Sequence, residues 1–540
     1  MAKEQKSKAE LYREERKARI AKASKGKKSG SVSVGVNTAS DKTDKKIAIG
    51  VVAVLAVVLV VWLVNFLGIP QRMDTVMTVG TQKVSEAEYT YYYRQLYLST
   101  YQQSYYIQSQ YGFNLGFDYT KTPEEQEYTG SDMEAKEDGS KPTWADYFRK
   151  TTEDNITKIK TLCAQAESMG ISLDEEDLKE IDSNIEELRT SVADEENGQG
   201  VSLNVYFRTS YGSGVNEKFF RELAEQEALA QKVSEAKGEE FTSALTEDEI
   251  TNYYNENKDD YDVVNIAVFP IAIDEDADAP VTAEDAKAKA EEMLSKVKDE
   301  ESFVKYAQEY APEDQKESYA DASATVLKAV SNETLSSNVS EDVAKWAFST
   351  DRKNGDKTVL TDDTAAYVVL LLNARYRDDT STVDVRHILL KYADGATDEQ
   401  KAEIDAKAQE LYNTWKNGDA TEASFSELAK TDSEDSSASN GGLIENIAKG
   451  QMVKNFENWC FDASRKPGDS GVIQTEYGSH IMYFVEKNDE PLWKTTIKST
   501  LATEKFNAYY DELKGQDANK VTVNEKEVQR LVKKISKPSL

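Results

Sequence analysis

Two histidines, two cysteines and a net charge of -32 set the first limits on this chain of 540 residues. Cys163 and Cys460 are too few for a disulfide framework, although a single bridge between them stays open. A metal site built from His387, His480 and Cys460 has no close ligand spacing to support it, so neither metal nor cofactor is expected. The 98 Asp and Glu against 66 Lys and Arg argue against a nucleic-acid partner, because a phosphate backbone rewards clustered basic side chains. Paired carboxylates or a nucleophile triad in supporting context, as cleavage of envelope polymers requires, are also missing.

The basic residues are unevenly spread. Residues 1–46 hold 14 Lys and Arg against 6 Asp and Glu, and from residue 22 on they have almost no large apolar side chains, so they read as a disordered basic tail. The run "IAIGVVAVLAVVLVVWLVNFLGI", residues 47–69, then continues for 23 residues without a charge. At about 1.5 Å per residue this crosses a hydrocarbon core of roughly 30 Å, with Trp62 as an interfacial anchor. A cleaved secretory signal, whose apolar region spans only about 7–15 residues, is the alternative. A lipid anchor would need a cysteine at the end of the run, and none is there. Basic residues on the near side predict a single-pass membrane protein with its N-terminus in the cytoplasm and the bulk of the chain outside.

After the membrane, Ser85 and Glu88 form a capping-box pattern at a helix start. Tyr89, Tyr93 and Tyr97 follow at i, i+4 spacing, the pattern of a core-packed aromatic face; the alternative is a sticky surface for unfolded chains. An acidic Gly/Ser/Pro loop spans 122–143, helical patterns run from about Trp144 to Lys237, and a capped acidic helix at 245–262 leads into "VVNIAVFPI".

An internal repeat organises the second half. "YDVVNIAVFPI" matches "VDVRHILLKY" with Asp262 above Asp384, and "KWAFSTDRKNGD" matches "NWCFDASRKPGD". "TDDTAAYVVLLL" matches "TEYGSHIMYFVE". On these matches Asn265 stands where His387 stands, Ala366 where His480 stands, and Val339 and Val343 replace Met452 and Phe456. The first copy also misses the segment around "NGG", so it reads as a structural copy beside a working one.

The second copy, 381–488, resembles the parvulin family of peptidyl-prolyl cis-trans isomerases through "VRHILL", "SFSELAKTDSEDSSASNGG", "GQMVKNFENWCFD" and "TEYGSHIMYF". The resemblance implies a four-stranded antiparallel sheet surrounded by helices, with both histidines on adjacent central strands. It places His387 and His480 at the paired histidines of the site floor and Asp435 close to the substrate amide. Thr475 falls in the histidine network, with Tyr477 at a more variable position. Met452 and Phe456 match the proline-pocket wall, Leu443 is a further apolar contact, and Phe461 is grouped with these substrate-binding residues. The loop after the first histidine strand holds Lys391 and then mostly acids, so a preference for phosphorylated substrates is not expected.

The whole layout resembles the extracytoplasmic foldases of the PrsA and SurA families. It implies an α+β chain: a tail (1–46), a transmembrane helix (47–69), a helical chaperone region (75–258), a degenerate parvulin-like domain (261–378), an isomerase domain (381–488) and a C-terminal helical segment (489–540) that packs back on the chaperone region. Expected partners are unfolded or partly folded secreted proteins with X-Pro bonds. A holdase without isomerase activity is the alternative, and oligomeric state, homo-oligomer included, stays open.

Overall fold

The computed structural model of the protein describes residue 64 and residues 66–535, except 115, 137, 195–197, 275–279 and 394. The basic tail and all but the end of the apolar run 47–69 lie outside them. Among the described residues no helix is long and apolar enough to cross a membrane.

Eleven strands form among the described residues: β1 (Thr75–Val79), β2 (Gln82–Ser85), β3 (Val263–Ala272), β4 (Val326–Ser331), β5 (Lys357–Thr361), β6 (Ala365–Tyr376), β7 (Ser381–Lys391), β8 (Leu443–Ile447), β9 (Ser470–Gln474), β10 (Gly478–Pro491) and β11 (Val521–Val523). They make three antiparallel sheets, β11-β1-β2, β4-β3-β6-β5 and β8-β7-β10-β9.

The chain divides into two compact units, one of residues up to 160, 173–228 and 517 onward, the other of 161–172 and 229–516. In the first, Ser85 caps the helix Glu86–Tyr111 by accepting the Glu88 N–H at 3.1 Å. Tyr89, Tyr93 and Tyr97 are buried, and Tyr93 and Tyr97 set ring edges against Phe148, so this stripe is core and not a sticky surface. The exposed rings lie further on: Tyr105, Tyr106, Tyr111 and Phe113 are each more than half exposed. Strand β11 and the helix Glu525–Ile535 complete this unit, with Arg530 reaching Glu86 at 3.1 Å.

The second unit holds both copies of the repeat. The helix Leu492–Gly515 packs on Glu247–Glu256 through Ile497, Ile250 and Tyr254. In each copy the first strand pairs with the second and fourth, and the fourth with the third, so the two sheets share one topology.

The ladders correct the residue matching between copies. Val268 pairs with Val369 and donates its N–H to Thr325, whereas His387 pairs with Met482 and donates to Gly442, each at 2.8 Å. Leu360 pairs with Tyr367 as Ile473 pairs with His480. Val268 and Tyr367, not Asn265 and Ala366, therefore occupy the histidine positions. Asn265 is instead the counterpart of Asp384. Its Oδ1 accepts the N–H of Ala329 at 2.8 Å, as Asp384 Oδ1 accepts that of Asn446 at 2.7 Å. Ala329 and Asn446 both have positive φ, 47° and 56°, at a bulge between the first and second strands.

The "NGG" turn positions the site. Gly442 has φ +72°, and a Cβ there would stand 2.2 Å from the His387 carbonyl oxygen. Gly442→Ala is expected to destabilise this domain by at least about 1–2 kcal/mol, read as a lowered urea midpoint. An unchanged midpoint would show that β7 and this turn are not held so closely.

Candidate active site

Alternation along β7 and β10 turns His387 and His480 to the same face, onto which Val385, Phe456, Cys460, Met482 and Phe484 also pack. Both histidines are buried, with ring planes 17° apart and centroids at 5.4 Å. Phe456, on the helix Lys454–Cys460, meets both edge-on, at 5.4 Å from His387 and 5.5 Å from His480.

A polar chain runs through the pair. Thr475 Oγ1 lies 2.8 Å from His480 Nε2, and the two Nδ1 atoms are 3.2 Å apart. Asp435 Oδ1 stands 3.2 Å from His387 Nε2, off the line of a hydrogen bond, so that contact is electrostatic. Asp435 caps the short 3-10 helix Ser436–Asn440, its Oδ1 accepting from the Ser437 N–H at 2.9 Å and hydroxyl at 2.6 Å. The neighbouring His387 ring, opposed by partial burial and aided by Ser437, holds its carboxyl well below the usual carboxylate range. Burial, then the His387 ring, pushes His480 down to about 4 against the opposing pull of Asp435. His480 is therefore neutral at pH 7.

The ionised Asp435 fixes one end of the chain. A bare nitrogen lone pair facing an ionised carboxylate is repulsive, so Asp435 keeps a proton on His387 Nε2. Each link beyond it, Nδ1 to Nδ1 between the two rings and His480 Nε2 to the Thr475 hydroxyl, is a hydrogen bond with one proton to share. Thr475 Oγ1 in turn accepts the Tyr477 N–H at 3.2 Å.

The pair floors a groove of about 1040 Å³, lined on its apolar side by Leu389, Leu443, Met452, Val453 and Phe456. Asp435 and the exposed Tyr477 stand at its margin. Thr475 reaches the groove only through His480. Phe461, expected with the substrate-binding residues, does not line it: one residue past the end of the Lys454–Cys460 helix, its ring packs against the core behind, with Lys449 Nζ 5.5 Å from its centre. Residues that the sequence does not single out for the site also contribute. Lys401 enters from the helix Asp398–Asn417 to line the groove with Lys391, and Gln451 steadies the next loop by accepting the Ala448 N–H at 2.8 Å. Helical periodicity carries no signal for either. Among the described residues there is no group of three or more His, Cys, Asp or Glu placed to hold a metal.

Residues 368–488 match the family model described as the PPIC-type PPIASE domain. The Chaperone SurA of Nitrosospira multiformis is 27% identical over 299 residues, covering 54% of this chain and 63% of that protein. The Foldase protein PrsA 1 of Listeria monocytogenes is 32% identical over 146 residues, covering 27% of this chain and 42% of that protein. Among solved structures, a PpiC-type peptidyl-prolyl cis-trans isomerase domain is 26% identical and covers 21% of this chain and 97% of its own, at a TM-score of 0.18. The chain carries a PPIC-type parvulin domain and is homologous to the SurA and PrsA chaperones. Its matches span 63% and 42% of the lengths of the two curated relatives named.

Proposed function

We propose that the chain is an extracytoplasmic foldase, a peptidyl-prolyl cis-trans isomerase and chaperone for secreted or cell-envelope proteins, held at the membrane by residues 47–69. The observation that carries the reading is the buried His387–His480 pair, with Asp435 beside it, flooring an apolar groove within a PPIC-type domain. The uncharged run and the basic tail before it support the anchor.

Rotating an X-Pro amide makes and breaks no covalent bond; its barrier of roughly 18–20 kcal/mol is lost resonance. The catalyst need only bind the twisted amide better than the planar one. Leu443, Met452 and Phe456 seat the proline ring and exclude water. The planar amide carries more negative charge on its oxygen than the twisted one, so the fixed charge of Asp435 disfavours the planar form. The histidine pair, its His480 ring neutral, holds the floor and leaves His387 Nε2–H beside the reacting group. This is preorganised electrostatics without proton transfer.

The test is the cis-to-trans rate of unphosphorylated X-Pro peptides with the purified chain and a His387→Ala, His480→Ala variant checked for folding. Acceleration by the first and none by the second is expected. Equal rates at the uncatalysed value would leave the second reading, a holdase whose parvulin domains only bind peptide. The exposed Tyr105, Tyr106, Tyr111 and Phe113 favour a holding activity in either case, since tyrosine offers apolar contact with a polar tip.

A further inference from the structure

The first copy retains the sheet but not the groove chemistry: Val268 and Tyr367 replace the histidines, and Val339 and Val343 replace Met452 and Phe456 in its core. What it touches suggests why it is kept. Both copies belong to one compact unit, and a segment of the second that meets the first is the wall of the proline pocket.

That wall, residues 448–456, has two sides. Inward, Gln451, Met452, Val453 and Phe456 line the groove. Outward, Gly450 has φ +90°, and a Cβ there would stand 2.5 Å from the carbonyl oxygen of Lys328. Four residues on, Lys454 Nζ pairs with Asp321 Oδ2 at 3.0 Å.

Both first-copy groups are fixed in advance. Lys328 and Ala329 are the bulge of β4, outside the ladder register, and the Ala329 N–H is tied to Asn265. Strand β4 is also an edge of its sheet, so the bulge presents the Lys328 carbonyl toward the neighbouring copy. Asp321 accepts the Ser323 N–H and hydroxyl, each at 2.9 Å, before it meets Lys454.

We infer that the first copy braces the proline-pocket wall of the second through Lys328 against Gly450 and Asp321 against Lys454, so that the tandem sets substrate affinity. Asp321, Gly450 and Lys454 are positioning residues; none touches the reacting bond. The inference rests on the isomerase reading for its effect on activity, but the brace has a readout of its own in amide exchange across 448–456.

The experiment compares the full chain with Asp321→Lys, Lys454→Glu, the double reversal and Gly450→Ala, measuring KM, kcat and exchange. Each single reversal is expected to raise KM about two- to five-fold with kcat little changed, the range of an exposed ion pair, and to speed exchange across 448–456. The double reversal restores both. Gly450→Ala has the larger effect on exchange, because its Cβ meets backbone. Unchanged exchange in Asp321→Lys and Gly450→Ala, or a double reversal no better than the singles, overturns the brace. If the unmodified chain shows no isomerase activity the functional reading fails, and exchange alone decides the brace.

Discussion

Replacing Phe456 by alanine is expected to destabilise the isomerase domain by about 3–5 kcal/mol and to remove its catalytic acceleration. The first part follows from burial: Phe456 is 3% exposed and packs with Val385, Ile447, Cys460, Met482 and Phe484, so truncation leaves a cavity beneath the sheet. The second follows from geometry, because the same ring sets its edge against both imidazoles and forms one wall of the groove. Phe456→Leu separates the two effects. It restores most of the volume, so its stability cost should fall to roughly 1–2 kcal/mol. It cannot restore the aromatic contacts, worth about 0.5–1.5 kcal/mol each, and its rate should fall further than its stability. Urea midpoints and isomerisation rates on the same preparations make the comparison. If both variants lost activity only in proportion to stability, the ring would be core filling and not part of the pocket.

How far the sequence discloses this site depends on whether a residue lies in a motif or is brought in by the fold. His387, His480, Met452 and Phe456 stand in contiguous motifs, and the structure brings them to one groove. Asp435 is harder, because an aspartate in a serine-rich loop is ordinarily solvated; only the cap at Ser437 and the nearby ring give it a fixed place. Phe461 is misplaced by the end of a helix, where one residue past Cys460 already packs against the core behind the groove. The first copy shows a different limit. Matching Asp262 to Asp384 is reasonable by letter, yet the ladder makes Asn265 the counterpart of Asp384, three residues away. In a strand an odd displacement exchanges the two faces, so an alignment that looks close assigns the wrong residue to the site. The bulge that resolves the register is marked by Ala329 and Asn446, whose shared positive φ is invisible in their side chains. Lys401 and the Asp321–Lys454 pair depend on tertiary placement alone.

The stability of the isomerase domain is expected to decline as pH falls from about 6.5 to about 4, by an amount on the order of 3 kcal/mol from His480 alone. His480 is buried and titrates near 4 in the fold, whereas an unfolded histidine titrates near 6.5. Above the unfolded value the ring is neutral in both states, and burying it carries no proton penalty. Between the two values the unfolded chain takes up a proton that the fold refuses, so unfolding is favoured progressively as pH drops. Below about 4 the ring is protonated in both states, and the slope from this group ends. The groups facing the ring account for the size of the shift. Burial and the His387 ring oppose a positive charge, Asp435 favours one but acts across His387, and Thr475 and Phe456 are uncharged. Asp435 adds no slope of its own over this window until pH approaches the ordinary carboxylate range near 4, because its carboxyl is held low in the fold. The measurement is amide exchange of β7 and β10, corrected for its intrinsic pH dependence, at steps from pH 8 to 4 in the native chain and in His480→Gln. Since a glutamine side chain does not titrate, the excess slope of the native chain between pH 6.5 and 4 is the histidine's share. Parallel curves for the two proteins would show that His480 is hydrated or protonated in the fold, and the reading of a buried, neutral His480 ring would have to be abandoned.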